Sequence, residues 1–160
     1  MNQNADLAAL SIQLGLKELG VKELTGKNDG VRVGVYQDFI DGNKSNWMHG
    51  QPWCAAFMSW CVAQAAAKLG IVPKLKKSAS STDIYSQAKK LGLVLEKPIP
   101  YCIGLIKGSG GSPGKTHHHT FRVLSIDWEH GLVHGLDGNW GNSVCKTVHQ
   151  IAACYFVSID

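Results

Sequence analysis

Cys54, the triplet His117-His118-His119 and the stretch Asp137-Gly138-Asn139-Trp140 are the residues of this chain whose types suit nucleophilic catalysis. A cysteine hydrolase needs a thiolate, a base within hydrogen-bond reach of it, and a third polar group that orients the base. Pro52 precedes an apolar run, Ala55-Ala56-Phe57-Met58 and onward, that continues to Gly70. Proline suits the first helical position and glycine the left-handed residue beyond the last, so the spacing predicts a buried helix opening at Pro52 and closing at Gly70. Cys54 then lies in the first turn, where unpaired N–H groups and the positive end of the macrodipole favour an anion. Thiols so placed titrate between about 3.5 and 7.5 and react as thiolates. We therefore expect Cys54 to be a nucleophile and not one more small core residue. The histidines open one predicted strand and Asp137–Trp140 ends the next. Neighbouring antiparallel strands lie about 4.8 Å apart, which suits a base on one and its orienter on the other. Alternation puts His117, His119 and Phe121 on one face and His118, Thr120 and Arg122 on the other, so parity leaves the choice of base open. Asp137 and Asn139 are both candidate orienters.

The elements that must position these groups fall into two halves. Leu7, Leu10, Leu14 and Ala8, Ile12, Leu16, Leu19 recur at helical intervals and predict a first helix ending near Gly20. Gly26–Gly30 reads as a turn-rich loop, and Val31, Val35, Phe39 and Ile40 as a short helix closed by Asp41-Gly42-Asn43. Asp41, Asn43 and Ser45 alternate as calcium-loop ligands do, but no glutamate follows at the required distance, so a plain polar loop is expected. Ser81 or Thr82 is the expected cap of a helix carrying Ile84, Tyr85, Ala88 and Leu91 and stopped by Gly92. Beyond Pro98-Ile99-Pro100 the period changes. Ile103–Ile106, His119–Asp127, Leu132–Leu136, Val144–Ile151 and Cys154–Ile159 read as strands, with a flexible loop at Ser109–Gly114 and a turn at Glu129-His130-Gly131. Helices followed by an antiparallel sheet predict a single α+β domain over residues 1–160, the Cys54 helix central and packed on one sheet face.

Composition narrows the function classes. At 160 residues the chain can bury a core without staples, and 44% apolar with 18% charged residues indicates a globular protein. The net charge of +4 is spread along the chain, so no nucleic-acid footprint is evident. Five cysteines with no C-x-x-C pair fit reduced thiols. No cofactor is implied, and the histidine triplet with Cys102 or Cys145 shows no recognised zinc spacing. No apolar run of about 18 residues exists, so no membrane insertion is expected. Met1–Asp6 lacks a signal-peptide pattern, from which synthesis in the cytoplasm is expected.

The segments Gln51-Pro52-Trp53-Cys54-Ala55-Ala56-Phe57, His119-Thr120-Phe121-Arg122-Val123 and Asp137-Gly138-Asn139-Trp140 together resemble the CHAP family of cysteine, histidine-dependent amidohydrolases and peptidases, part of the papain-like group. The similarity also takes in Asn28-Asp29-Gly30 and spans most of the chain. It implies a papain-like fold with Cys54 as nucleophile and His119 as base. Asp137 stands where the family has glutamate, and Asn139 matches the family's asparagine. The chain departs from the pattern at Tyr101–Ile106, where the family shows Gly-Asp before its strand, and at Phe121, where it shows glycine. The implied activity is hydrolysis of an amide bond in peptidoglycan by acyl transfer, the Cys54 N–H stabilising the oxyanion. Trp53, Trp140 and His118 are the expected substrate-binding residues. Such an enzyme would act in the periplasm or cell wall, after release as a phage lysin or injection as an antibacterial effector with an immunity protein as partner. An inactive papain-like module that binds wall fragments, or a metal-binding protein using the histidines, are the alternatives.

Overall fold

The computed structural model describes residues 3–42, 44–108 and 117–159, with side chains omitted at 3–5, 117 and 118. Among the described residues four α-helices, α1 (Gln3–Leu16), α2 (Val31–Asp41), α3 (Cys54–Leu69) and α4 (Ser81–Leu91), precede every strand of the sheet. The six strands are β1 (Val94–Leu95), β2 (Ile103–Lys107), β3 (His117–Asp127), β4 (Leu132–Trp140), β5 (Ser143–Gln150) and β6 (Cys154–Val157). They form one antiparallel sheet in the order β1-β6-β2-β3-β4-β5, so the molecule is α+β. The expected loop at Ser109–Gly114, and Asn43 of the polar loop, lie outside the described residues.

Helix ends follow backbone chemistry. Gly42, Gly70 and Gly92 close α2, α3 and α4 at φ of 69°, 66° and 69°, a conformation glycine adopts without the Cβ penalty. The starts differ from expectation at two places. Pro52 does not open α3: Trp53, at φ −117° and ψ 11°, is the N-cap and accepts from the Phe57 N–H, so Cys54 is the first helical residue. The Trp53 ring is fully buried and hydrogen-bonded, and that burial sets where the helix begins. Ser80, not Ser81 or Thr82, caps α4, because Ser80 is extended and accepts from the Asp83 N–H. Ser81 is already helical and turns inward to hydrogen-bond Thr120 Oγ1 at 2.5 Å.

Two apolar layers meet the sheet. Ile103, Leu105, Leu136 and Val157 face the helices, against Ala55, Met58, Phe57 and Val62 of α3 and Leu7 and Ala8 of α1. Cys102, Phe121, Val123, Val133, Cys154 and Phe156 form the cluster on the other face. Gly104 is required there, since a Cβ would sit 2.1 Å from the Phe121 ring. Strand β4 runs four residues beyond the expected Leu136, through Trp140, and turns at Gly141-Asn142 with φ of 56° and 61° into β5. Two positive φ values in a two-residue loop are the geometry that matches strand twist. Arg122 of β3 is buried at 2% exposure and reaches α1, donating to Ser11 Oγ (2.8 Å) and Ala8 O (3.4 Å), and to Tyr101 O (2.6 Å). Among the described residues no helix is long and apolar enough to cross a membrane.

Candidate active site

The first turn of α3 meets the sheet where β3 and β4 lie side by side. Gly138 of β4 packs against Phe57 of α3 so closely that a Cβ would lie 2.6–2.7 Å from Phe57 side-chain atoms. That contact seats the first turn of α3, which carries Cys54, against β4. The His119 imidazole and the backbone N–H groups of Thr120 and Ala55 lie near enough to the Cys54 sulfur to act on its ionisation. Phe121 pairs with Asp137 across the β3–β4 ladder, which brings Asp137 beside His119. His119 Nε2 lies 2.6 Å from Asp137 Oδ1, leaving Nδ1 as the ring nitrogen for the thiol.

Electrostatics within this chain of groups agree with its geometry. Burial alone raises the Cys54 pKa, but the His119 hydrogen bond and charge, with the Thr120 and Ala55 N–H groups, pull it below its ordinary 9.0. Burial alone lowers His119, yet the hydrogen bonds to Asp137 and Cys54 outweigh it and raise the imidazole from 6.5 to about 9. Burial likewise raises Asp137, and hydrogen bonds from His119 and His149, the His119 charge and the Thr147 hydroxyl hold it below 3.8. Each shift favours the charged form of its group, thiolate, imidazolium and carboxylate in series. Cys54 keeps 7% of its surface exposed and the His119 side chain 11%, so solvent touches both groups.

The expected site residues separate. Asp137 makes the contact with His119; the missing methylene relative to glutamate does not prevent it. Asn139 does not orient the base, which corrects that expectation. Its φ is 62°, at a bulge between Asp137 and Trp140 that turns its side chain toward the lead-in to α3. With its amide turned so that both ends find partners, Asn139 donates to Glu23 Oε1 (2.9 Å) and accepts from the Trp53 N–H (3.2 Å). Asn139 thus ties β4 to the N-cap of the cysteine helix. Trp53 is not a groove wall. It is 0% exposed, stacked on Tyr36 at 5.7 Å, with its indole N–H donating to Glu23 Oε1 at 2.9 Å. Trp140 is 44% exposed and meets the His119 ring edge-on at 5.0 Å. The His118 and His117 side chains lie outside what the structure describes.

Several contributors were not anticipated. Glu23 accepts from Trp53 and from the Asn28 N–H, and buried Gln37 donates to Asn28 O and Gln51 O. These bonds brace the approach to Cys54 from both sides. His149 and Thr147 of β5 close on Asp137 from the strand opposite His119. Period-two alternation along Cys145, Thr147 and His149 was visible, but their register against β4 was not. Among the described residues no group of three or more His, Cys, Asp or Glu side chains is arranged to hold a metal ion.

Comparison with known proteins finds no family model that matches this chain, and no curated protein or solved structure similar to it.

Proposed function

We propose that this protein is a papain-like cysteine amidohydrolase of the CHAP type that cleaves an amide bond of peptidoglycan. The observation that carries the reading is the run Cys54–His119–Asp137, in which the imidazole beside the thiol is held 2.6 Å from a fully buried carboxylate and draws the thiol below its ordinary pKa. The Cys54 thiolate attacks the amide carbonyl, forming a C–S bond as the carbonyl π electrons move to oxygen. The N–H of Cys54, at the start of α3, donates to that oxyanion, where fixed backbone donors act most strongly. His119 gives its proton to the leaving nitrogen, the C–N bond breaks, and an acyl thioester remains. Neutral His119 then takes a proton from water, whose oxygen attacks the thioester and releases the acid and the thiolate. Asp137 keeps the imidazole oriented throughout. Trp140, exposed beside His119, offers an apolar wall to the bound chain. Peptidoglycan as substrate rests on the sequence resemblance to the CHAP family. Release as a lysin and injection as an effector are both compatible with it.

Mass spectrometry of purified wall treated with the wild type and with Cys54→Ala tests the reading. New N-terminal L-alanine identifies an N-acetylmuramoyl-L-alanine amidase, and new stem or cross-bridge termini identify an endopeptidase. Cys54→Ala is expected to produce neither. Wall left intact by the wild type, or cut equally by the alanine variant, rejects the proposal.

A further inference from the structure

We propose that His149 is a positioning residue of the site, acting with Thr147 to lock the Asp137 carboxylate in the orientation that holds His119. The inference rests on the cysteine-hydrolase reading and adds to it two residues from β5, the strand on the far side of β4.

Hydrogen-bond bookkeeping fixes the cluster uniquely. Asp137 is fully buried and ionised, so both its oxygens only accept. Thr147 Oγ1 lies 2.5 Å from Asp137 Oδ2 and must spend its single proton there. The same hydroxyl lies 2.7 Å from His149 Nε2, and with its proton committed it accepts, so His149 Nε2 carries hydrogen. That N–H is shared with Asp137 Oδ1 at 3.1 Å. Asp137 Oδ1 therefore receives His119 on one side and His149 on the other, while Oδ2 receives Thr147. A carboxylate held at both oxygens by three donors cannot rotate away from the base.

The surroundings are shaped for this arrangement. His149 is 7% exposed, its ring lying 4.3 Å from that of Phe121 and edge-on to Trp140 at 5.1 Å, so packing and not solvent sets its plane. Gly135, between the strands, leaves room that a Cβ would close, coming within 2.8 Å of Asp137 Oδ2 and 2.9 Å of Thr147 Oγ1. His149 is not a second base: its Nε2 is directed at Asp137 and Thr147, and its ring centre is 6.3 Å from that of His119.

The test reads the Cys54–His119 pair without needing the wall substrate. Iodoacetamide alkylation of Cys54, mapped by mass, is followed across pH in the wild type, His149→Phe, His149→Gln and Thr147→Val. Phenylalanine keeps the ring packing and removes the donor; glutamine keeps a donor near the Nε2 position. With the carboxylate released, the imidazolium is held less firmly. The alkylation profile of His149→Phe should then move up by about half a unit or more, lowering the rate near pH 6 by about threefold or more. Thr147→Val should move the same way, and His149→Gln should stay within about twofold of the wild type. His149→Phe and Thr147→Val both matching the wild type overturns the proposal. So does His149→Gln falling as far as phenylalanine, since a retained donor would then fail to support the carboxylate. Where His149→Phe fails to fold, Thr147→Val and His149→Gln decide. Wall hydrolysis measured in parallel separates the two readings: intact wall with the expected alkylation pattern removes the substrate assignment and leaves the positioning role standing.

Discussion

Five cysteines share this chain, and only one is prepared to react. Burial raises Cys61 to about 12 and Cys102 and Cys154 to about 11, and Cys145 is also raised, while Cys54 alone is lowered. Thiolate fraction governs alkylation, so sub-stoichiometric iodoacetamide near pH 7 should label Cys54 ahead of the other four by at least about tenfold. Peptide mapping in which another cysteine takes the label first would contradict the assignment. The paired ionisation has a second consequence, in stability. His119, raised from 6.5 to about 9, contributes stability that is complete below pH 6.5 and fades as pH climbs through about 9. Cys54, lowered from 9.0, contributes stability that is complete above pH 9 and fades as pH falls through its folded value. Between 6.5 and 9 the two slopes oppose each other, because His119 loses stability with rising pH while Cys54 gains it. Cys54→Ala removes the Cys54 slope, the one whose contribution is lost as pH falls. The unfolding free energy of the wild type relative to Cys54→Ala should therefore be larger near pH 8 than near pH 5. Denaturant melts giving a constant or inverted difference would mean the pair is neutral.

At the scale of elements, the site depends on how closely α3 lies on β4. Gly138→Ala would press a methyl into Phe57 at 2.6–2.7 Å, one turn along from Cys54, and the neighbour is a ring root and not a flexible tip. Overpacking of that kind costs about 1–3 kcal/mol. A displacement of about 1 Å at a reacting group can cost about a hundredfold in rate. We expect Gly138→Ala to lower Cys54 alkylation near pH 7 by about tenfold or more, and to lower the melting temperature. Gly34→Ala, in α2 with nothing within 4 Å of its new methyl, is the control and should leave alkylation unchanged. Equal behaviour of the two variants would show that helix seating does not set reactivity. Periodicity made α1 to α4 legible in the sequence and glycine stops closed α2 to α4, although α1 ends at Leu16 and not near Gly20; the change of period at Pro100 marked the sheet. What escaped had no local signature. Strand β1 is only Val94–Leu95, too short to show alternation. The last residues of β4 are Asp-Gly-Asn, types that read as a turn although here they pair and bulge. Pro52 suits a helix start, but Trp53 is drawn into the core by Tyr36 and Glu23, which lie far away in the chain. Cys54, His119 and Asp137 were legible because chemistry restricts residue type. Thr147 and His149 needed the register of two strands.

Across the whole molecule, Cys54 belongs to the helical half and His119 with Asp137 to the sheet half, so the candidate site exists only while the halves stay docked. Arg122 is one joint between them. Its Nη1 donates to Ser11 of α1 and its Nη2 to Tyr101 and Ala8, bridging a sequence separation of 111 residues to Ser11. Tyr101 holds φ of 67°, which costs a non-glycine residue about 1–2 kcal/mol, and the Arg122 bond to its carbonyl helps to secure it. A buried cation is expensive, and apolar replacement of buried charge is neutral or stabilising in some proteins. Here a methionine would leave acceptors on α1 and in the Tyr101 turn without their donor, at about 1–3 kcal/mol each. The acceptor loss outweighs the relief of desolvation, so Arg122→Met should destabilise the fold by about 2–4 kcal/mol. Arg122→Lys keeps the charge but cannot span the same acceptors, and should recover little of the loss. The Arg122 hydrogen bonds to Ser11, Ala8 and Tyr101 serve the joint between the halves, so alkylation well below the melting transition should remain within about twofold of the wild type. A methionine variant as stable as the wild type would show that the fold tolerates this cation without depending on it. Loss of Cys54 reactivity with stability retained would move Arg122 from the joint between the halves into the chemistry itself.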